Sequence, residues 1–243
     1  MTFNTIKITD ADSTNSMLKQ MAAQGAEIGT TLVAVRQHGG RGRLGRSFSS
    51  GDGGLYVSII LPYAENMSAG LLTTYAAVAV AGAIESLAPV RVGVKWVNDL
   101  LVEGKKICGI LAEGVIRDDG KLAVLGIGVN LTNKLPSELD GIAANLYDLC
   151  GVKIEPQRLL DAILDKFRDF EKADFEKSLE EYRHRCVTLG REVEVVPHQG
   201  EKYKAFAVDL HHDGSLIVKR ACDGELVRVF SGEVSTKLSE DAL

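Results

Sequence analysis

The densest concentration of fixed positive charge in this sequence sits among glycines. Arg36, Arg41, Arg43 and Arg46 share a segment with Gly39, Gly40, Gly42 and Gly45, and no acidic residue intervenes before Asp52. Arginine offers a planar, permanently charged fork of donors that fits phosphate oxygens. Glycine lets backbone approach a ligand closely and leaves a loop pliable. Such a loop can close over a polyphosphate and screen a reactive intermediate from water. The spacing Gly40-x-Gly42-x-x-Gly45 also satisfies the dinucleotide-binding fingerprint, but that fingerprint must open directly into a helix. Here the chain runs on through Arg46-Ser47-Phe48-Ser49-Ser50-Gly51-Asp52-Gly53-Gly54, which does not start a helix. A solvated basic loop is the plain alternative, and the acidic total argues against a nucleic-acid contact.

The remaining chemistry-bearing residues lie in short clusters: Ser13-Thr14-Asn15, Asn98-Asp99, Lys105-Lys106 and Asn130. Each also has a plainer reading. Ser13 suits the N-cap of a following helix, Asn-Asp is ordinary turn chemistry, and either lysine could be an exposed hairpin residue. Four cysteines, Cys108, Cys150, Cys186 and Cys222, are far apart and form no Cys-x-x-Cys pair. That excludes a zinc knuckle and fits a reducing cytoplasm. His211 and His212 before Asp213 hint at a metal, but neighbours on a strand point to opposite faces, so a solvent-facing turn is expected there.

These clusters need elements to position them. A strand around Ile6 and Ile8 leads to a helix from Ser13 to about Gly25, then to strands at 31–35 and 55–61 that flank the glycine-rich loop 39–54. An alanine-rich helix over 68–87 precedes strands at 90–96, two within 100–115 joined at Glu103-Gly104, and one at 122–130. Residues 132–150 read as irregular. Pro156 opens a long amphipathic helix to about Arg185. After Leu189-Gly190, short strands alternate with turns at His198-Gln199-Gly200, Asp213-Gly214 and Asp223-Gly224. The expectation is an α+β domain over 1–187, a mixed sheet packed with helices, and a small β-barrel domain over 188–243.

A chain of 243 residues with 45% hydrophobic and 25% charged residues has the composition of an ordinary globular protein. It holds no apolar run of membrane-spanning length and no signal-like start. Its net charge of −5 makes the arginine cluster a local site.

Ser13-Thr14-Asn15, Gln37, the Gly40–Arg46 loop, Lys95-Trp96-Val97-Asn98-Asp99, Lys105–Glu113 and Gly126–Asn130 resemble the biotin protein ligases in order and spacing, and the resemblance extends over nearly the whole chain. It implies a class II synthetase-like catalytic domain and an SH3-like C-terminal barrel. It implies that Ser13, Thr14, Asn15, Gln37, Arg41, Gly42, Arg43, Lys106 and Gly109 bind biotin. Arg43, Arg46, Phe48, Asn98, Asp99 and Asn130 would face ATP, with Lys106 and Arg43 catalytic. Asp99 would help to hold the magnesium that accompanies ATP. No tightly bound prosthetic group is implied. The acceptor would be a lysine of a biotin carboxyl carrier protein. Two positions depart from the family pattern: Val97 stands where proline is usual, and Phe48 where tryptophan is common.

Three other functions compete. A lipoate ligase or octanoyl transferase shares the implied architecture, and a transferase would need an acyl-accepting cysteine, for which Cys108 is the only candidate within a site motif. A DNA-binding biotin sensor would need a helix-turn-helix domain. Ser13 begins only a dozen residues after Met1, so the expectation is a monofunctional ligase that binds neither DNA nor membrane. A catalytically silent binding protein is disfavoured by the retained arginines and Lys106. Whether the chain forms a homodimer is left open.

Overall fold

A computed structural model describes residues 1–63, 67–197, 200–230 and 233–236. In chain order it contains β1 (Asn4–Ala11), α1 (Thr14–Ala23), β2 (Thr30–Gln37), β3 (Leu55–Pro62), α2 (Ala69–Glu85), β4 (Gly93–Lys95), β5 (Asp99–Val102), β6 (Lys105–Arg117) and β7 (Gly120–Val129). These are followed by α3 (Leu146–Cys150), α4 (Pro156–Phe167), α5 (Phe175–Arg185), β8 (Glu192–Val196), β9 (Tyr203–Leu210), β10 (Leu216–Arg220), β11 (Leu226–Val229) and β12 (Glu233–Thr236).

The first seven strands form one mixed sheet in the order β1-β2-β3-β7-β6-β5-β4. Only β1 and β2 run parallel, and the remaining pairs are antiparallel. Because side chains alternate along a strand, each strand feeds both faces. Val57, Ile59 and Leu61 of β3 join Leu125, Ile127 and Val129 of β7 in the main core. Ile60 and Val124, their neighbours in sequence, enter a smaller core with Leu18 and Ala22 of α1. The α1 helix therefore covers one face while α2, α4 and α5 cover the other.

α2 is apolar around most of its circumference, with Ala76, Ala77, Val80, Ala81, Ala83 and Ile84 all buried. A helix of that character must be covered on all sides: the sheet lies beneath it, and α4 and α5 pack over it. Ser68 caps its N-terminus, accepting from Leu71 N–H at 2.9 Å.

The single helix expected from Pro156 to Arg185 is interrupted after Phe167. Phe167, Phe170 and Phe175 gather around Tyr75 with ring centroids 5.2–5.5 Å from it. A continuous helix would keep them on one face but set Phe167 and Phe175 about 12 Å apart along its axis, too far to meet one ring. The turn at 168–174 folds them onto one ring, and Asp174 restarts the helix by accepting from Lys177 N–H at 3.0 Å. The strand expected at 90–96 is also shorter, covering only Gly93–Lys95.

The C-terminal strands form a second, five-stranded antiparallel sheet, β11-β10-β9-β8-β12. Of the turn expected at 198–200, His198 and Gln199 lie outside the described residues, as do most residues after Phe230. This sheet meets the first beside α2. Ser68 Oγ donates to the Asp213 carbonyl at 2.6 Å, and the Trp96 indole N–H donates to the Gly214 carbonyl at 3.0 Å. His211 and His212 sit in the turn just after β9, their ring centroids 3.9 Å apart rather than on opposite faces. Among the described residues no helix is long and apolar enough to cross a membrane.

Candidate active site

A cavity of about 420 Å³ opens on the α1 side of the large sheet. Its floor is where β6 and β7 carry glycine. Gly109 pairs with Gly128, and Leu111 with Gly126. A Cβ on Gly126 would come within 2.6 Å of Asn15 Oδ1, and one on Gly128 within 2.6 Å of the Phe48 ring. These glycines let neighbouring side chains lie against bare backbone. What approaches Gly109 is likewise the Phe48 ring, together with the Lys106 chain.

At the α1 end the wall is a connected polar network. Thr14 N–H and its hydroxyl both donate to Gln37 Oε1, at 2.8 and 3.0 Å. Gln37 Nε2 donates to Ser50 Oγ at 2.9 Å, and Ser50 Oγ to the Phe48 carbonyl at 2.9 Å. Ser58 Oγ lies within donating distance of both Thr14 Oγ1 and Asn15 Oδ1, at 2.9 and 3.0 Å. Asn15 Nδ2 donates to Glu113 Oε2 at 2.7 Å, and Lys19 Nζ to Oε1 at 2.6 Å. Burial pushes the Glu113 carboxyl up, but the bonds from Lys19 and Asn15 outweigh it and hold it below the usual glutamate range. Ser13 does cap α1, at 3.4 Å from Ser16 N–H, and it also lines the cavity. The plain and the functional readings of that serine coexist.

The arginine-glycine loop forms a narrow hairpin. Phe48 N–H donates to the Gly40 carbonyl at 2.8 Å and Gly42 N–H to the Arg46 carbonyl at 2.7 Å. At the tip Leu44 adopts a left-handed backbone with φ 57°, which costs a non-glycine residue roughly 1–2 kcal/mol. Arg41, Arg43 and Arg46 line the cavity. Arg41 reaches Ser16 Oγ and Arg43 reaches Asn98 Oδ1, each at 3.4 Å. Arg36 is not one of them. It turns outward to Asp10 and Asp52, at 2.5 and 3.3 Å, so four arginines clustered in sequence are three in space. The reason is strand alternation: Arg36 lies on β2, and its side chain leaves by the other face.

Lys106 reaches the cavity through a register irregularity. Asp99 pairs with Gly109 and Leu101 with Lys106, with the shift falling between Leu100 and Leu101. In a regular strand, residues 106 and 109 would point to opposite faces. The extra residue in β6 returns Lys106 to the face of Gly109 and Asp99. Lys106 Nζ then forms an ion pair with Asp99 at 2.7 Å and lies 5.7 Å from the Phe48 ring centre. Lys105 does not line the cavity. The backbone of Lys106 is held on its other side, donating to the Ile142 carbonyl at 2.9 Å and accepting from Ala144 N–H at 3.0 Å.

Every site residue named from the sequence lines this one cavity. Asn130 does so with its amide committed internally: Nδ2 donates to the Ala144 carbonyl at 3.3 Å, and Oδ1 accepts from Asn133 at 3.1 Å. Asn98 Nδ2 donates to the Ile110 carbonyl at 2.9 Å. Sequence reasoning missed Ser58, the wall formed by Leu135, Leu139, Ile142 and Ala143, and Val234 and Ser235 of β12. Ser58 did leave a signal, as the lone aliphatic hydroxyl in the apolar run Leu55–Leu61. The others left none, because the segment carrying most of them has no periodicity and β12 arrives from the second sheet.

The family model described as "Biotin/lipoate A/B protein ligase family" matches residues 7–130, which include most of the cavity wall. The chain belongs to this family. Among curated relatives of the ligase family, the bifunctional ligase/repressor BirA of Bacillus subtilis is 37% identical over 168 residues, 65% of this chain and 52% of that protein. The chain thus spans about half the length of that relative. The biotin–[acetyl-CoA-carboxylase] ligase of Mycobacterium tuberculosis is 32% identical over 238 residues, 93% of this chain and 86% of that one. Among solved structures, the biotin protein ligase from Aquifex aeolicus in complex with biotin and ATP superposes with a TM-score of 0.79 at 30% identity, covering 96% of this chain and 97% of that one.

Proposed function

We propose that this chain is a biotin protein ligase that activates biotin with ATP and transfers it to a lysine of a biotin carboxyl carrier protein. The observation that carries the reading is the convergence of the arginine hairpin, Lys106 and the Thr14–Gln37–Asn15 network on one cavity. Three cationic side chains answer a polyphosphate, and the hydroxyl and amide network answers a small polar ring. The Aquifex aeolicus structure, similar along nearly its whole length, is a complex with biotin and ATP.

In this reading the biotin carboxylate attacks the ATP α-phosphate, pyrophosphate leaves, and the acceptor amine then displaces AMP from the acyl-adenylate. No enzyme nucleophile is needed. The barrier is set by bringing two anions together, and cations fixed in advance lower it. Asp99 restrains Lys106 by their 2.7 Å pair, which keeps the ammonium in the cavity before substrate arrives. Arg43 and Arg46 would take the phosphates, and the hairpin would exclude water from the adenylate. Ser13, Thr14, Asn15 and Gln37, with Arg41, Gly42 and Gly109, would form the biotin end. Phe48, Asn98, Asp99 and Asn130 would form the nucleotide end. Among the described residues Asp99 belongs to no group of three or more metal-ligating side chains. It therefore suits a magnesium that arrives on ATP phosphates. We assign residues 1–187 to the catalytic unit and 188–243 to a small SH3-like barrel, supported by β12 closing back on β8.

An acyl-transferase reading is disfavoured by Cys108. It is fully buried on the core face of the sheet, where loss of solvation pushes its thiol up and keeps it neutral. The test is pyrophosphate release and carrier labelling by the purified chain with ATP, magnesium and biotin or lipoate. Biotin-dependent release and labelling are expected, and equal turnover of lipoate would overturn the substrate assignment.

A further inference from the structure

We propose that Glu113 is a positioning residue that locks the orientation of the Asn15 amide, making the α1 end of the cavity an acceptor-rich wall selective for a ligand head that donates N–H bonds. The inference rests on the biotin ligase reading and names a specificity determinant within it.

An amide side chain can be turned end for end at little steric cost, so its orientation is set by its partners. A carboxylate accepts only. Glu113 Oε2 stands 2.7 Å from Asn15, so the group facing it must be the NH2. Asn15 Oδ1 is then forced toward Ser58 and the bare backbone of Gly126. Lys19, one helical turn after Asn15, donates to the other oxygen of Glu113 and fixes the carboxylate in place. Asn15 is almost wholly buried, so the choice is not left to solvent.

Counting protons on that wall gives its character. Thr14 Oγ1 spends its proton on Gln37, leaving lone pairs toward Ser58. Ser58 has one proton for two acceptors. Three oxygens, Thr14 Oγ1, Ser58 Oγ and Asn15 Oδ1, therefore hold more lone pairs than the network can fill. A cyclic urea brings N–H donors to such a wall. A dithiolane or an alkyl chain brings none and would leave these acceptors buried and unmatched. Glu113 touches no reacting atom; it acts through Asn15.

Glu113→Gln is the test. Lys19 would claim the glutamine oxygen, the glutamine NH2 would face Asn15, and Asn15 would turn its carbonyl away from the pocket. The KM for biotin is expected to rise about tenfold to a hundredfold, with kcat and the KM for ATP within about twofold of wild type. The preference for biotin over an analogue with one ring N–H replaced by oxygen should collapse toward unity. Adding Lys19→Met frees the glutamine to turn its oxygen to Asn15, so Lys19→Met/Glu113→Gln should regain much of the preference. That double variant also serves if Glu113→Gln does not fold. Retention of the preference in Glu113→Gln, a parallel loss in kcat and both KM values, or no recovery in the double variant would overturn the proposal. A wild-type chain that does not use biotin would instead overturn the ligase reading.

Discussion

The two faces of β3, β6 and β7 are built from the same strands and do opposite things. Toward α2 they present Val57, Ile59, Leu125, Ile127 and Val129, closely packed and without a polar group. Toward α1 the residues between them in sequence are Ser58, Gly126 and Gly128, with Tyr56 and Ile60 at either side. One face fills its volume with methyl groups and the other leaves a cavity floored by bare backbone. Alternation alone makes this economical: a ten-residue strand supplies a core and a binding floor with no change of direction. The faces should also answer to mutation differently, the first in stability and the second in chemistry.

The largest effect should come from Lys106→Ala on the cavity face. The rate of adenylate formation is expected to fall about a hundredfold to a thousandfold, measured by single-turnover pyrophosphate release, with the melting temperature little changed. On the other face, Leu125→Ala removes a fully buried side chain. Denaturant unfolding should show a loss of about 2–5 kcal/mol, while the KM for biotin in the folded protein stays the same. A larger change in that KM than in stability would mean that the faces are not independent. Gly128→Ala tests the floor. Its methyl would meet the Phe48 ring, so the hairpin must shift, and adenylate should escape about tenfold faster in a trapping assay. Arg43→Ala should also leak adenylate, from the opposite wall; unchanged retention would remove the hairpin from its assigned role.

The smallest difference is in acid. Glu113 is held below its ordinary value of 4.5 because the Lys19 and Asn15 bonds outweigh burial. The folded chain thus binds this proton less readily than the unfolded chain. Its contribution is complete above pH 4.5 and is lost as the pH falls through the lowered value. Glu113→Gln should flatten that part of the stability profile, and Leu125→Ala should leave its shape intact.

Much of this arrangement was legible in the sequence because it is local. Apolar runs announced β3 and β7, Ser13 and the alanine-rich segment 68–87 announced α1 and α2, and the ordered motifs named residues that share one cavity. What was not legible depends on contacts distant in sequence. The break after Phe167 exists to seat three aromatic rings around Tyr75, about ninety residues earlier. Residues 135–144 carry no pattern, yet the Ile142 carbonyl and the Ala144 amide fix the Lys106 backbone, and the segment walls the cavity. Arg36 and Arg41 look equivalent as charges, and only the strand on which Arg36 lies sends it to Asp10. Lys105 and Lys106 could be separated by resemblance, but the physical reason is the irregularity in β6.

That irregularity constrains how the gene can change. Between Lys106 and Gly109 it is the bulged pairing, more than the identity of the residues, that keeps the ammonium in the cavity. Many exchanges at Ile107 or Cys108 would loosen packing and leave Lys106 in place. Loss of a single codon there would remove the bulge and leave Lys106 two residues from Gly109, still on the cavity face, at the cost of one of the two consecutive core residues Ile107 and Cys108. Over evolutionary time the lysine should therefore keep its face with one intervening residue in regular pairing or with two and a bulge.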